Sequence, residues 1–258
     1  MIGIVDYKAG NSHSVLNACT RIGVPCKYIR NAQDLEDVTG IILPGVGSAG
    51  ATMDSLREIG IIEALEKKVL EEKVPFLGIC VGLQIIFEHS EEGDVDCLGW
   101  LKGQVVGFDR KKVRVPQIGW NELIFVKESP MIGDLGEHPY FYFVNSYYAV
   151  PENKEDLLAV ADYNGEFTAM VQHDNIFASQ CHIYFLFHIF SVICPLNYNF
   201  NLSARRVILE LVFQVLHRFD FMTVKGNKNI AFPNTCFISC ALFRNLCNIN
   251  TLRHVISF

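Results

Sequence analysis

The sequence predicts an α/β fold with a doubly wound, mostly parallel sheet over residues 1–182, followed by an anomalous tail over residues 183–258. Short apolar runs alternate with helical patterns in the first part, which is typical of parallel βα units. The composition changes near residue 182, because the net charge is −11 before that point and +5 after it. Eighteen of the 19 glycines precede the break, and eleven of the 19 phenylalanines follow it.

The first half of the domain is predicted from apolar runs and from their period. Short runs bounded by turn residues indicate buried strands, and apolar side chains three and four positions apart, such as Val15, Cys19 and Ile22, indicate a helix. In chain order we predict a strand at 2–7, a helix at 11–22, strands at 26–29 and 41–43, a helix at 61–72, a strand at 75–79, and a helix at 81–88 that follows that strand directly.

After residue 100 the pattern becomes that of a β region. We predict strands at 105–108, 123–126, 140–148 and 158–161, and a hairpin that turns at Asp174–Asn175. The tail has no such pattern. Its apolar run over residues 183–196 gives only about 14 suitable residues where a membrane helix needs about 20, so we expect no span. An amphipathic helix is predicted at 205–219, and no stable element beyond it.

Charge and cysteine usage exclude several function classes. A net charge of −6 argues against a nucleic-acid partner held by a basic surface. The nine cysteines include no CxxC pair, and Cys236 and Cys240 lack a second His/Cys pair at ligand spacing, so we expect no metal and no cofactor. Reduced thiols and an N-terminus without a basic signal region favour a cytoplasmic protein.

The strongest local signal is the segment GICVG at residues 78–82, where an apolar strand meets a helical pattern. Flanking glycines allow the sharp turn of a nucleophile elbow, with Cys80 at its tip. A helix N-terminus there would lower the pKa of the thiol, and the Val81 N–H would face a developing oxyanion. The alternative is a buried structural cysteine at the end of a strand.

Two other segments provide the remaining groups that such a nucleophile needs, a second oxyanion donor and a general base. LPGVG at residues 43–47 ends a predicted strand, and its glycines allow the Gly47 N–H to serve as a second oxyanion donor. It could equally be a plain turn from strand to loop. Gln180-Cys181-His182 closes the predicted hairpin and places His182 at a strand end, where an imidazole can act as general base.

This order of motifs resembles a class I (triad) glutamine amidotransferase, and the resemblance covers residues 1–182. Further stretches narrow it to the family of the glutaminase subunit of imidazole glycerol phosphate synthase: DY at 6–7, GN at 10–11, SV at 14–15, VPQIGWN at 115–121 and FYFVNSY at 141–147. That family hydrolyses L-glutamine at a Cys-His-Glu triad. It passes ammonia to a separate (β/α)8 cyclase subunit, in a heterodimer of histidine biosynthesis.

The resemblance implies roles for individual residues. Cys80 would be the nucleophile, His182 the general base and acid, and the Gly47 and Val81 amides the oxyanion donors. Trp120 and Asn121 would face the cyclase. Substrate binding would fall to residues on and beyond the elbow helix and near residue 145, namely Gln84, Glu92, Asn145, Ser146 and Tyr147. Glu92 could instead be a solvated residue of the acidic run at 88–96.

Two departures from the family pattern bear on function. Asn145-Ser146 stands where His-Ser or His-Thr is usual, and Tyr184 stands where the triad has its glutamate. The second coincides with the compositional break, so we expect a frameshift, a retained intron or another gene-model error, with an evolved extension as the alternative. Two other functions stay open: a paralogous amidotransferase for surface-sugar amidation, and an impaired homologue or gene-model fragment that only binds a partner.

Overall fold

The computed structural model describes residues 1–7, 11–132, 135 and 139–181. Four α-helices lie in this part of the chain: α1 (Ser12–Arg21), α2 (Ala49–Glu58), α3 (Ile62–Glu66) and α4 (Val81–Gln84). Helix α3 continues into a π-helical turn, Lys67–Glu71. Short 3-10 turns lie at Ala32–Leu35 and Lys154–Asp156.

The strands of the described residues belong to three sheets. In chain order they are β1 (Ile2–Val5), β2 (Cys26–Ile29), β3 (Gly40–Gly45), β4 (Phe76–Cys80), β5 (His89–Ser90), β6 (Val95–Asp96), β7 (Gly103–Gly107), β8 (Gln117–Glu122), β9 (Ile124–Phe125), β10 (Tyr140–Asn145), β11 (Tyr147–Pro151), β12 (Leu157–Asp162), β13 (Glu166–His173) and β14 (Ile176–Ser179).

The central sheet has eight strands in the order β2-β1-β3-β4-β14-β13-β12-β9. The pairs from β2 to β14 are parallel, and those from β14 to β9 are antiparallel. Strands β1, β3, β4 and β14 are buried along their whole length, as parallel strands covered on both faces must be. The predicted α/β class with a mostly parallel sheet is confirmed, and the antiparallel half extends it.

Two smaller sheets pack beside this core. One is the antiparallel pair β10-β8, and the other has the order β11-β7-β5-β6. The predicted single strand at 140–148 is therefore wrong, because the chain changes sheet at Ser146 and gives β10 to one sheet and β11 to the other. The hairpin predicted at Asp174–Asn175 is confirmed, with His173 opposite Ile176 and Asp174 at a φ of 46°.

The observed helices differ from the prediction at two places. The helix predicted at 81–88 ends at Gln84, because the following residues pair with another sheet: the Glu88 N–H donates to the Gly103 carbonyl, and β5 runs beside β7. Helix α2 was not predicted. Its sequence is rich in small and polar residues, and its clearest local signal is Ser48, whose hydroxyl accepts from the Ala51 N–H as an N-cap.

Several predictions lie outside the described residues: His182, Tyr184, the apolar run at 183–196, the helix at 205–219, and Cys236 with Cys240. Within the described part, no helix is long and apolar enough to cross a membrane. The same part contains no group of three or more His, Cys, Asp or Glu side chains that could hold a metal ion.

Candidate active site

Cys80 ends the buried strand β4, and the next residue begins α4. Its backbone has φ 56° and ψ −108°, a conformation that L residues adopt at a cost of about 1–3 kcal/mol. Such strain persists only where the surrounding structure enforces it. The strained cysteine therefore confirms the tight strand-to-helix turn expected of a nucleophile elbow.

Glycines make this turn possible, because without a Cβ they let neighbouring backbone segments approach closely. A Cβ on Gly82 would lie 2.1 Å from the Leu43 carbonyl oxygen, and one on Gly78 would lie 2.4 Å from the Gly82 oxygen. A Cβ on Gly45 would lie 2.7 Å from the Val81 Cβ. Because real Cβ atoms do not approach so closely, the elbow can form only with glycine at these positions.

Register brings the three predicted segments together. In the parallel pair of β3 and β4, Gly45 lies opposite Cys80, so the PGVG segment begins beside the nucleophile. In the pair of β14 and β4, Ser179 lies opposite Ile79, which places Gln180 beside Cys80 on the other side. The carboxyl ends of parallel strands are where ligands bind in open α/β sheets. These segments therefore frame the candidate site.

The Cys80 thiol is buried, with 6% of the residue exposed. The predicted lowering of the thiol pKa by a helix N-terminus is wrong: burial raises the pKa of this thiol to about 11, and the Glu92 carboxylate adds to the increase. The Val81 N–H and the Gln180 side chain act in the opposite direction by donating toward the sulfur. The thiol is thus protonated at neutral pH, and its activation needs a base that takes the proton.

The two predicted oxyanion donors differ in their surroundings. Val81 is the first residue of α4, and its N–H already lies within hydrogen-bonding reach of the Cys80 sulfur. Gly47 is exposed and has a φ of +102°, which only glycine adopts readily. Its position just after β3 and before the Ser48 cap of α2 confirms the predicted need for glycine there.

Gln84 is buried at the end of α4 and belongs to a chain of hydrogen bonds. Its Nε2 donates to the Tyr147 carbonyl at 3.1 Å and to the Gln180 Oε1 at 3.1 Å. The Gln180 Nε2 in turn donates to the Cys80 Sγ at 3.5 Å. No role was predicted for Gln180, because the contact depends on β14 lying beside β4.

Glu92 lies beyond the elbow helix, in the turn between β5 and β6. Its Oε2 accepts from the Ala49 N–H at 3.0 Å, which fixes the carboxylate at the beginning of α2. The charge of this carboxylate also contributes to the raised pKa of the Cys80 thiol. The alternative of a free solvated residue does not describe this arrangement.

Asn145, Ser146 and Tyr147 form the connection between β10 and β11. The Asn145 Nδ2 donates to the Tyr147 carbonyl at 3.0 Å, so that carbonyl accepts from both Asn145 and Gln84. The Asn145 Oδ1 is buried and finds no hydrogen-bond partner among the described residues. Ser146 lies between them, and its carbonyl accepts from the Phe108 N–H. The backbone of this connection therefore contacts the Gln84 network.

Trp120 and Asn121 lie on β8 and point to opposite sides, as neighbours on a strand must. Trp120 is 48% exposed and packs edge-on against Tyr142, with ring centroids 5.7 Å apart. The Asn121 side chain donates instead to the Asp162 carbonyl and joins β8 to β12. Trp120 is the more exposed residue of this predicted pair, and Asn121 is half-buried.

A family comparison agrees with this geometry. The class-I glutamine amidotransferase family matches residues 3–183. The chain belongs to this family. Among solved amidotransferases, a crystal structure of a glutamine amidotransferase covers 82% of this chain and 98% of its own, with a TM-score of 0.57 and 21% identity. The glutaminase domain of Trypanosoma brucei CTPS with bound acivicin has a TM-score of 0.55 and 15% identity, covering 78% and 96%. These two structures support the amidotransferase fold.

Curated relatives within the class-I amidotransferases are much more similar in sequence. The imidazole glycerol phosphate synthase subunit HisH of Leptospira interrogans is 42% identical over 186 residues, covering 70% of this chain and 91% of its own. The HisH subunit of Sulfurimonas denitrificans is 44% identical over 187 residues, covering 70% and 89%. HisH 2 of Pseudomonas aeruginosa is 40% identical over 183 residues, covering 70% and 91%.

Proposed function

We propose that this chain is the glutaminase subunit of an imidazole glycerol phosphate synthase and supplies ammonia to a cyclase subunit in histidine biosynthesis. The observation that carries the proposal is the strained, buried Cys80 between the PGVG segment and β14. The HisH subunits at 40–44% identity support the specific pathway. The catalytic domain comprises residues 1–182, and residues 183–258 replace the end that the family normally has.

The reaction begins when the Cys80 thiol loses its proton to His182 and the sulfur attacks the carboxamide carbon of L-glutamine. The Gly47 and Val81 N–H groups hold the oxyanion of the tetrahedral intermediate. His182 returns the proton to the leaving nitrogen, ammonia departs, and a γ-glutamyl thioester remains on Cys80. Water, deprotonated by His182, then cleaves the thioester, releases glutamate and restores the thiol.

Substrate binding is assigned to the groups around this thiol. The Glu92 carboxylate, fixed by the Ala49 N–H, attracts the α-ammonium group of glutamine. Gln84 and the connection formed by Asn145, Ser146 and Tyr147 bind its other polar atoms. The reaction needs no metal or cofactor, because the thiol, the imidazole and backbone amides supply every step.

The partner is a (β/α)8 cyclase bound as a heterodimer through the face of β8 that carries Trp120. This face exposes Ile118 by 62% and Trp120 by 48%, and Val144 opposite Ile118 is also exposed, so the apolar surface is contiguous, as at protein interaction sites. Cys80, Cys97 and Cys181 are thiols, which suits the reducing cytoplasm that we propose as the location.

An electrophilic glutamine analogue, a γ-diazoketone, tests the nucleophile directly. We expect one label per chain on Cys80, identified by mass spectrometry of the full-length protein and its peptides. Cys97→Ala, which removes another thiol away from the elbow, serves as the matched control and should label fully, whereas Cys80→Ala should not label. Labelling spread over several cysteines, or blocked by neither L-glutamine nor Cys80→Ala, would contradict the proposal.

Tyr184 favours a second candidate, an impaired homologue that binds the cyclase without efficient catalysis. Losing the carboxylate of a serine triad costs about 10⁴ in rate. A thiolate forms more easily than an alkoxide, so we expect Tyr184→Glu to raise the glutaminase kcat by about 10- to 1000-fold. A kcat changed by less than about twofold would show that the carboxylate is dispensable here.

A further inference from the structure

Gln180 contacts two parts of the candidate site with one side chain. It is fully buried, its Oε1 accepts from the Gln84 Nε2, and its Nε2 donates to the Cys80 Sγ. The Tyr147 carbonyl can only accept, so it fixes the Gln84 Nε2 toward itself, and the Gln180 side chain must then turn its oxygen toward that Nε2 and its own Nε2 toward the sulfur. The two contacts together therefore fix which end of the Gln180 amide faces the nucleophile.

The backbone holds this side chain in place. Strand β14 runs parallel to β4 with Ser179 opposite Ile79, and the Gln180 N–H donates to the Ala169 carbonyl at 2.8 Å. The residue is thus anchored on both sides, by β4 and by β13. A side chain that is fixed in advance loses little freedom when the reaction begins.

The contact with Gln84 has a consequence for substrate binding. The Gln84 Nε2 uses the Tyr147 carbonyl and the Gln180 Oε1 as acceptors, so the Gln84 oxygen is the end left to accept from the substrate. Without the Gln180 oxygen, the Gln84 amide would lose one of the two contacts that set its orientation. Its affinity for the N–H groups of glutamine would fall accordingly.

We propose that Gln180 is a positioning residue that couples the nucleophile to the substrate-binding amide, an inference that rests on the proposed function. Its oxygen orients Gln84, and its N–H holds the Cys80 sulfur. When the proton leaves the sulfur for His182, the same N–H becomes a charge-assisted hydrogen bond to the thiolate, which is stronger than the bond to the neutral thiol. No other bond forms or breaks at Gln180.

The first test measures the reactivity of the Cys80 thiol as a function of pH, and does not depend on the glutaminase reaction. Iodoacetamide alkylation of Cys80 is followed by mass spectrometry from about pH 8 to about pH 12.5, a range that extends beyond the raised pKa of the buried thiol. Gln180→Met should raise the midpoint by about 0.5–1 pH unit, since it removes a donor to the thiolate. Gln84→Met should raise the midpoint by less than Gln180→Met, because the donor to the sulfur stays in place and loses only one of the contacts that orient it. Gln172→Met on β13 is the matched control, because Gln172 pairs with Phe177 at the other end of β14.

The second test uses steady-state kinetics with L-glutamine. Gln84→Met and Gln180→Met should each raise KM by about tenfold, and the double variant should resemble Gln84→Met because the two residues act together. Multiplicative losses in the double variant, or a pH midpoint for Gln180→Met equal to that of Gln172→Met, would overturn the proposal. An inactive chain with a shifted midpoint would contradict the proposed function and still support the contact with Cys80.

A measurement on the unmodified chain avoids any dependence on the variants. The ¹⁵N resonance of the Gln180 side-chain amide should titrate with the same midpoint as Cys80 alkylation, and should stop titrating in Cys80→Ala. An amide resonance that is insensitive to pH across the Cys80 transition would overturn the proposal. Far-UV circular dichroism of each variant establishes that it is folded before its alkylation profile is compared.

Discussion

The nucleophile elbow, residues 78–82, and the ribbon formed by β8 and β10 handle apolar surface in opposite ways. Every residue of the elbow is buried, and its backbone packs so closely that a Cβ added at Gly78 or Gly82 would clash with a carbonyl oxygen. The ribbon buries one face, where Phe143 is fully covered, and exposes the other, where Ile118 lies opposite Val144 and Trp120 opposite Tyr142. The elbow is complete within the chain, whereas the ribbon leaves apolar surface uncovered.

This difference separates two kinds of constraint on the sequence. At the elbow, substitutions are expected to act on folding, because the neighbouring backbone cannot move away. On the outer face of the ribbon they are expected to act on association, because the side chains there contact few atoms of their own chain. The predictions below test this separation, and they are ordered from the largest expected effect to the smallest.

Gly82→Ala should prevent stable folding, with a loss of more than about 3 kcal/mol in the free energy of unfolding. The added Cβ would meet the Leu43 carbonyl oxygen at 2.1 Å. Gly50→Ala on α2 is the matched control. A Cβ at this position would have no atom within 4 Å, and the substitution replaces a glycine inside a helix. That control should be neutral or about 0.5 kcal/mol more stable by urea denaturation. A soluble, fully stable Gly82→Ala would refute the packing argument.

Raising the pH should destabilise the wild type relative to Cys80→Ala. The thiol keeps its proton in the folded state up to a pKa of about 11, whereas the unfolded chain loses it near the usual value of 9.0. Stability is therefore fully present below about pH 9 and falls as the pH rises through 11. The two-unit difference corresponds to about 2–3 kcal/mol. Urea unfolding of both proteins from about pH 8 to pH 11 measures the difference, and parallel curves would contradict it.

Trp120→Ala should weaken cyclase binding by about 10- to 30-fold, or about 1.4–2 kcal/mol, while the free energy of unfolding changes by less than about 1 kcal/mol. Trp120 is half exposed on the outer face of the ribbon. Val150→Ala, which shortens a side chain of similar exposure on β11, is the control and should leave the Kd unchanged. Isothermal titration calorimetry measures the Kd. Equal losses in both variants would place the interface elsewhere.

Cys80→Gly should be more stable than Cys80→Ala by about 1 kcal/mol, the reverse of the usual order. Glycine adopts a φ of 56° with a ψ of −108° without the penalty that a Cβ incurs. Both variants lack the thiol, so its burial does not enter the comparison. Thermal denaturation at neutral pH orders the two variants. A lower Tm for the glycine variant would mean that the elbow is not strained.

Local signals in the sequence were sufficient for the sheet core and for the elbow. Strand β2 was predicted at its observed bounds, and the turn after His173 was predicted from Asp174–Asn175, because short apolar runs and turn residues act locally. The end of α4 could not be predicted, since it depends on Glu88 and β5 pairing with β7, far along the chain. The change of sheet at Ser146 is likewise a tertiary effect.

The residues of the candidate site likewise divide into those predictable from local sequence and those that depend on tertiary contacts. The turns at Cys80 and Gly47 were predictable because tight turns require glycine, at Gly78 and Gly82 around Cys80 and at Gly47 itself. Glu92 was named as a candidate beyond the elbow helix, but its place in the turn between β5 and β6 and its contact with the Ala49 N–H depend on tertiary structure. The contacts of Gln180 required knowledge of which strand lies beside β4, and no local pattern supplies that.

The hydrogen bond from the Ala49 N–H to Glu92 joins the beginning of α2 to the β5–β6 turn. As the first residue of the helix, Ala49 has no intrahelical acceptor for this N–H. Solvent exchange of this single amide therefore requires the two sides of the site to separate. Its exchange rate measures how often the site opens, and glutamine bound between the two sides would slow it.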